Sequence, residues 1–365
     1  MRVRRRDAYL PSLVAAVCLT LAAAGLGLFA GATFEEHTLT GNPPVSPPGS
    51  TTAPGGSSTT VLVDDDVALP GSTTVGETTS PGNKDFRSAF LDTDDMGAVI
   101  DAWRTAEGRS RHRMNWTGSI SSCRAGDTSM EFKIDVLTRV QWFRAMAGVS
   151  PAIRLNLETS RLAQEAALVM AAAGDLSHEP DGDWPCYSED AYTGASHSNL
   201  FLGEFGVDAV DGYIEDSGSD NIKVGHRRWI LDPTLTSIGT GDTRESNALF
   251  VINEETIESA GVREPEGFVM WPPRGYVPRS QIYERWSISH RSADFSDAVV
   301  TVVHEGRTRV FRDPHADSEG YGSLHTLVFE WRRPGKGTGP VRIRVDKIEL
   351  AGTLQTFQYE VKPIG

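Results

Sequence analysis

The chain has 365 residues, with 35 Lys and Arg against 49 Asp and Glu, and a formal net charge of −14. That balance excludes nucleic acid and an anionic membrane surface as partners, because both call for clustered cations. The length allows two folded domains beyond any targeting segment.

Arg2, Arg4, Arg5 and Arg6 precede a stretch from Ala8 to Phe34 that carries no charge. A basic start followed by an apolar run drives export with the basic end held in the cytoplasm. Ala30-Gly31-Ala32 offers a small-x-small cleavage site, and the run is also about the 17–25 residues that span a bilayer. Residues 1–32 therefore read as a signal peptide or a membrane anchor. Either reading puts the remainder on the extracellular side, secreted or tethered. Cys18 lies inside this segment, with Val17 where a lipoprotein site needs a small residue. Cys123 and Cys186 remain, and outside the cytoplasm such a pair is expected to join as a disulfide. Residues 33–84 are rich in Pro, Gly, Ser and Thr and nearly free of aromatic residues. Such a composition cannot bury enough apolar surface to offset chain entropy, so a flexible stalk is expected. Asp64-Asp65-Asp66 within it reads as a solvated charge run rather than a calcium site.

Globular composition begins at Phe86. Met96 to Ala106 reads as a helix with Val99, Ile100 and Trp103 on one face. Asp135 is expected to cap a second helix, in which Val136, Val140 and Phe143 repeat at helical spacing, with Gly148 and Pro151 stopping it. Asn156 caps a third, with Leu162, Ala166, Val169, Met170 and Ala173 along one face and Gly174 at its end. A short helix covers Val224 to Leu231 before Pro233, and Ala248 to Ile252 reads as a strand. Beyond about Ser280 the period changes to two. Val299–Val303, Leu327–Trp331, Val341–Val345 and Phe357–Val361 alternate apolar and polar residues between Gly, Pro and Asp turns, as in an antiparallel β-sandwich. The run from Trp271 to Pro278 reads as a stiff connector whose Trp271 and Tyr276 pack against both domains.

No GxSxG, P-loop, GxGxxG or HExxH stands in the sequence, so serine-hydrolase, nucleotide-binding and zincin chemistry lack their anchors. What remains is a set of histidines near helix ends: His178 after the alanine-rich helix, His197 in the next loop, and His226 in Val224-Gly-His-Arg-Arg-Trp-Ile-Leu-Asp-Pro233. A neutral imidazole is both a metal ligand and a general base near neutral pH. His178 also suits a plainer role at a helix end, bonding carbonyls there. Arg227 and Arg228 are expected to pair with carboxylates of this acidic chain. Asn115-Trp116-Thr117 has the form of a glycosylation acceptor.

These elements, in this order, resemble the CAP superfamily, the SCP-like proteins that include cysteine-rich secretory proteins, antigen five and pathogenesis-related proteins, here in a bacterial type. Thr138 to Arg144 with Gly148 looks like the family's opening helix, and Leu155 to Ala173 like its second. Ser177-His178 matches the first family histidine, Ser198-Asn199-Leu200 with Gly203 sits at the "GEN[IL]..G" position, and Val210 to Ile214 resembles the helix before the second histidine. Gly225-His226-Arg227 with Ile230, Pro233 and Ile238-Gly-Thr-Gly241 resembles the closing "GHR..IL.P....GVG". The likeness covers roughly residues 130–245.

The resemblance implies a CAP-like α-β-α sandwich over 85–255, and with the connector over 256–279 and the C-terminal all-β sandwich domain read from alternation over 280–365 the fold class is α+β. It makes His178 and His226 the paired histidines of an acidic cavity able to hold a divalent metal, zinc first. Ser198 replaces the "GEN" glutamate, Glu215 or Asp216 stands for the second one, and His197 is an added ligand candidate. Three functions follow as expectations. The first is a binding or structural module of the cell envelope with an extracellular ligand. The second is a metal-assisted hydrolase of peptide or cell-wall material, with metal on His178, His226 and His197 and with Glu215 or Asp216 as base. The third is a lipid carrier.

Overall fold

Helices lie on both faces of a small sheet, and the sequence alternates accordingly. The structure is a computed structural model that describes residues 85–108, 112–253, 267–318, 320–332, 337 and 339–365. The export segment and the stalk expected over 1–84, with Asp64 to Asp66, lie outside these residues.

The sheet has the order β1-β3-β4-β2. In it β1 (Arg154–Leu155) runs parallel to β3 (Ser237–Asp242). β4 (Ser246–Phe250) is antiparallel to β3 and to β2 (Ser198–Leu202). Ala248 and Phe250 face one way, into a cluster with Ala163, Ala166, Ala167 and Met170 of α3 (Leu157–Ala173) and with Ala191 and Ala195 of α4 (Glu189–Ser196). Leu249 and Ile238 belong to the main core on the other face, with Val136 and Val140 of α2 (Met130–Ala147) and with Val210 and Tyr213 of α5 (Gly206–Glu215). The period of two in a strand thus buries both faces, giving the expected α-β-α layering.

Close approach of α3 to the sheet depends on glycine. A Cβ on Gly241 would stand 2.1 Å from the Gln164 backbone nitrogen and 2.2 Å from the Ala163 carbonyl carbon. The Gln164 side chain then closes the contact, donating to Asp242 O at 2.9 Å and accepting from Asp242 N at 3.0 Å. Gly241→Ala must move helix or strand, and should cost about 3 kcal/mol. Urea unfolding followed by circular dichroism reads that loss as a lower midpoint at unchanged slope.

The helix ends follow their caps. Asn156 accepts from the Glu158 and Thr159 amides, and Gly148 and Gly174 take the left-handed conformation that ends α2 and α3. The start of α2 differs from expectation. Ser129 caps it, and Asp135 lies within it, buried, accepting from the His112 backbone amide and facing the His112 ring at 2.9 Å. A carboxylate occupied by a distant partner cannot cap its own helix, and Ser129 can. α2 is buried nearly all round, polar residues included. Arg144 donates to the carbonyls of Ser150, Ile230, Asp232 and Leu235, which ties α2 to the end of α6 (Gly225–Ile230).

α1 (Met96–Gly108) matches its expected span closely. The C-terminal region is all β. One sheet orders β10-β11-β7-β5 and the other β6-β13-β12-β8-β9. The first holds β5 (Val269–Trp271), β7 (Arg285–His290), β10 (His315–Asp317) and β11 (His325–Glu330). The second holds β6 (Gly275–Pro278), β8 (Val299–His304), β9 (Arg307–Phe311), β12 (Val341–Leu350) and β13 (Thr353–Ile364). All pairings are antiparallel except β6 with β13. Ile288, Leu327 and Phe329 of one sheet share a core with Val300, Val302, Ile343 and Val345 of the other. The Pro-rich run expected to be a connector contributes β5 and β6. Trp271 pairs through its backbone with Ser287, while its ring meets Phe143 at 5.0 Å and Trp142 at 6.3 Å on α2. Tyr276 donates its backbone amide to Thr93 O at 2.7 Å. Among the described residues no helix is long and apolar enough to cross a membrane.

Candidate functional site

The site grows out of two left-handed residues. α5 ends at Asp216, with φ 53°, and after a loop Val224, with φ 48°, opens α6. These turns bring His226 of α6 back onto Asp216. The Asp216 carboxylate is buried. It takes the His226 ring at Nδ1, 2.8 Å away, with one oxygen and accepts from the Arg227 backbone amide at 3.2 Å with the other. Facing an acceptor, Nδ1 of His226 carries the proton and Nε2 is left for a ligand. The ring stacks on Tyr213, centroids 5.5 Å apart, and its side chain keeps 23 % of its surface exposed. Tyr213 is fixed in turn, its hydroxyl donating to Asn247 Oδ1 at 2.8 Å and lying 3.0 Å from Asn199 O. Asn199 donates to His226 O at 3.0 Å.

The loop beyond Asp216 is held from the β region. Arg285 of β7 donates to Asp216 O, to Asn221 O at 2.8 Å and to Gly218 O at 3.0 Å, with Glu330 taking its remaining edge. Arg227, fully buried, donates to Ile214 O at 2.6 Å, Glu215 O at 3.0 Å, Arg285 O at 2.9 Å and Ser287 Oγ at 3.0 Å. Of the two arginines expected to pair with carboxylates, Arg228 does so with Asp317 at 2.9 Å, whereas Arg227 serves carbonyls.

A pocket of about 40 Å³ opens beside this pair, with Leu200, Tyr213, Asp216, Asn221 and His226 in its wall. Its size suits a water or the terminal group of a ligand. His178, His197 and Glu215 do not line it. His178 bonds Ala195 O, the carbonyl of a neighbouring helix, through Nδ1 at 2.9 Å. His197 sets Nδ1 against Thr193 O and Ser196 Oγ, both at 2.9 Å, and stacks on Phe250 at 5.3 Å. Glu215 points to solvent among Arg227, Glu284 and Arg285, so Asp216 is the carboxylate that meets a histidine. The signal for Asp216 over Glu215 was its place at the helix end, where a left-handed turn redirects the side chain. Ser198, at the "GEN" glutamate position, is buried with no hydrogen-bond partner for its Oγ among the described residues.

The two histidines titrate in opposite directions. Burial presses the His226 imidazolium to lose its proton, but the charge of Asp216 and the bond to it outweigh burial, and its pKa is raised. His178 is pushed below the ordinary histidine range, first by desolvation and further by the charge of His226, against the opposing pull of the Ala195 carbonyl. His226 therefore contributes stability fully present below the unfolded value of about 6.5 and lost as pH rises through its folded value. His178 contributes stability present above about 6.5 and lost as pH falls through its folded value.

Each imidazole spends Nδ1 on an oxygen and keeps Nε2, as metal-bound histidines do. Among the described residues, however, no group of three or more His, Cys, Asp or Glu side chains is placed to hold a metal ion. An open zinc site needs three protein ligands, and two imidazoles alone do not fit it.

An α-β-α sandwich with a histidine on each side of β2, His178 before it and His226 after it, defines the class of this domain. Residues 137–253 match the family model described as CAP, the cysteine-rich secretory protein family, and this part of the chain is a CAP domain. No curated protein and no solved structure matches the chain.

Proposed function

We propose that this is an exported CAP-domain protein of the cell envelope, secreted or tethered by its N-terminal segment, which acts as a binding module through the cleft at His226. A CAP domain supports a binding or structural module in general terms. The observation that carries the finer reading is the His226–Asp216 pair beside the pocket, with Nδ1 tied and Nε2 left over. An imidazole held in place by a buried carboxylate can, when protonated, donate from Nε2 to a carbonyl or carboxylate of an extracellular ligand in a charge-assisted hydrogen bond. The β region supports the reading by fixing the loop that carries Asp216.

Zinc calorimetry on the purified chain tests this against a metal-assisted hydrolase. The binding reading expects no one-to-one site tighter than about 1 µM. A tighter site that disappears in both His178→Ala and His226→Ala would replace it with the hydrolase reading.

A further inference from the structure

We propose that a second cleft, built on Asn115-Trp116 and the start of α5, binds a short oligosaccharide. The cleft is separate from the His226 pocket and does not depend on the reading of that pocket. Its volume, about 730 Å³, falls in the range of roughly 300–1,000 Å³ typical of small-molecule sites. The floor is aromatic, from Trp116, Phe132 and Phe205. The rim is polar, from the exposed residues His112, Arg113, Asn115, Asp208 and Arg244.

The acceptor-like triplet of the sequence explains how the floor is made. Thr117 is spent on structure, donating to Asp127 O at 3.2 Å and accepting from Asp127 N at 3.0 Å. Trp116 donates its indole N–H to Ala125 O at 2.7 Å, which fixes the plane of the ring and leaves only its apolar surface for a ligand. Gly118 makes room for it, since a Cβ there would stand 2.4 Å from the indole. Gly206 does the same under Phe132, where a Cβ would stand 2.5 Å from the ring.

The rim names the ligand. The side chains of Arg113, Asn115, Asp208 and Arg244 are all exposed, and none makes a hydrogen bond or ion pair with another described residue. Together they present planar donors, from two guanidinium groups and an amide, and planar acceptors, from a carboxylate and the same amide. A simple anion would meet repulsion from Asp208, and a cation would meet it from both arginines. A wholly apolar molecule would cover four polar groups without pairing them, which is costly. A sugar ring has an apolar C–H face for the indole and a fringe of hydroxyls that both donate and accept.

The test uses the full chain with three probes, N,N′,N″-triacetylchitotriose, laminaritriose and maltotriose, read by calorimetry and by saturation-transfer NMR. At least one should bind saturably, with transfer to its C–H protons, and Trp116→Ala should abolish the signal. Asn115→Ala and Asp208→Ala, which remove no internal bond, should each weaken binding by about tenfold. They keep the test decisive if the tryptophan variant misfolds. Absence of binding by all three sugars at about 10 mM overturns the proposal. Binding unchanged in Asn115→Ala and Asp208→Ala also overturns it, as does salt-sensitive binding of benzoate with none of a sugar.

Discussion

Replacing Cys123 and Cys186 together by Ser should lower the unfolding free energy by about 4 kcal/mol. The bond between them is formed, across a sequence separation of 63. The unfolded chain therefore loses the entropy of a long loop when the bond is present, and cost grows with loop length. The bond also joins two segments that lie far apart in the sequence. One is the stretch around Cys123, where Ser119 and Arg124 exchange backbone bonds, and the other is the loop that leads to α4. Guanidinium unfolding of the oxidised protein and the double variant measures the difference. A loss under about 1 kcal/mol would mean that native packing already restrains these segments and that the entropy argument fails here.

Arg227→Met should cost about 3–5 kcal/mol, the range for removing one member of a buried charged network. The guanidinium is fully buried and satisfies three backbone carbonyls and Ser287 Oγ, in segments of both the CAP domain and the β region. Methionine fills much of the volume but donates nothing, so those acceptors are left dry and unpaired. Lysine should recover little, because one ammonium cannot reproduce the planar fork. Urea unfolding reads the loss directly. Stability of Arg227→Met within about 1 kcal/mol of the parent would show that the carbonyls find other donors.

Much of the fold was legible because local chemistry and tertiary packing agree there. Asn156 at the start of α3 and glycine after α2 and α3 act within one turn, so a sequence reader sees what the backbone sees. The strands at Val299, Val341 and Phe357 alternate because one face meets the core, and their period follows. Where distant residues decide, the reading failed. Asp135 looks like a cap until His112 claims its carboxylate. β9, Arg307–Phe311, is a strand by pairing with β8, with scarcely any buried side chain to announce it. β5 and β6 hide in a run of prolines because each needs only three or four residues and a waiting partner strand. α4 was missed for want of a long apolar stripe, although Ser188 before Glu189 and Asp190 is a helix-start signal.

The site was legible to the level of residue type and no further. The histidines at 178 and 226 stand out by spacing and likeness. Their working state depends on which carboxylate the left-handed turn at 216 delivers, and a one-residue choice between Glu215 and Asp216 is set by backbone geometry. His197 carries the same imidazole, yet its place against Phe250 turns it to local structure.

His226 acts on His178 through its charge, and histidine NMR titration tests this most directly. In the parent protein the His226 imidazole should titrate above the ordinary histidine value and His178 below it. In His226→Gln, with the neighbouring charge gone, the His178 value should rise. A His178 titration that is indifferent to His226→Gln would mean that the two rings do not form a common cleft.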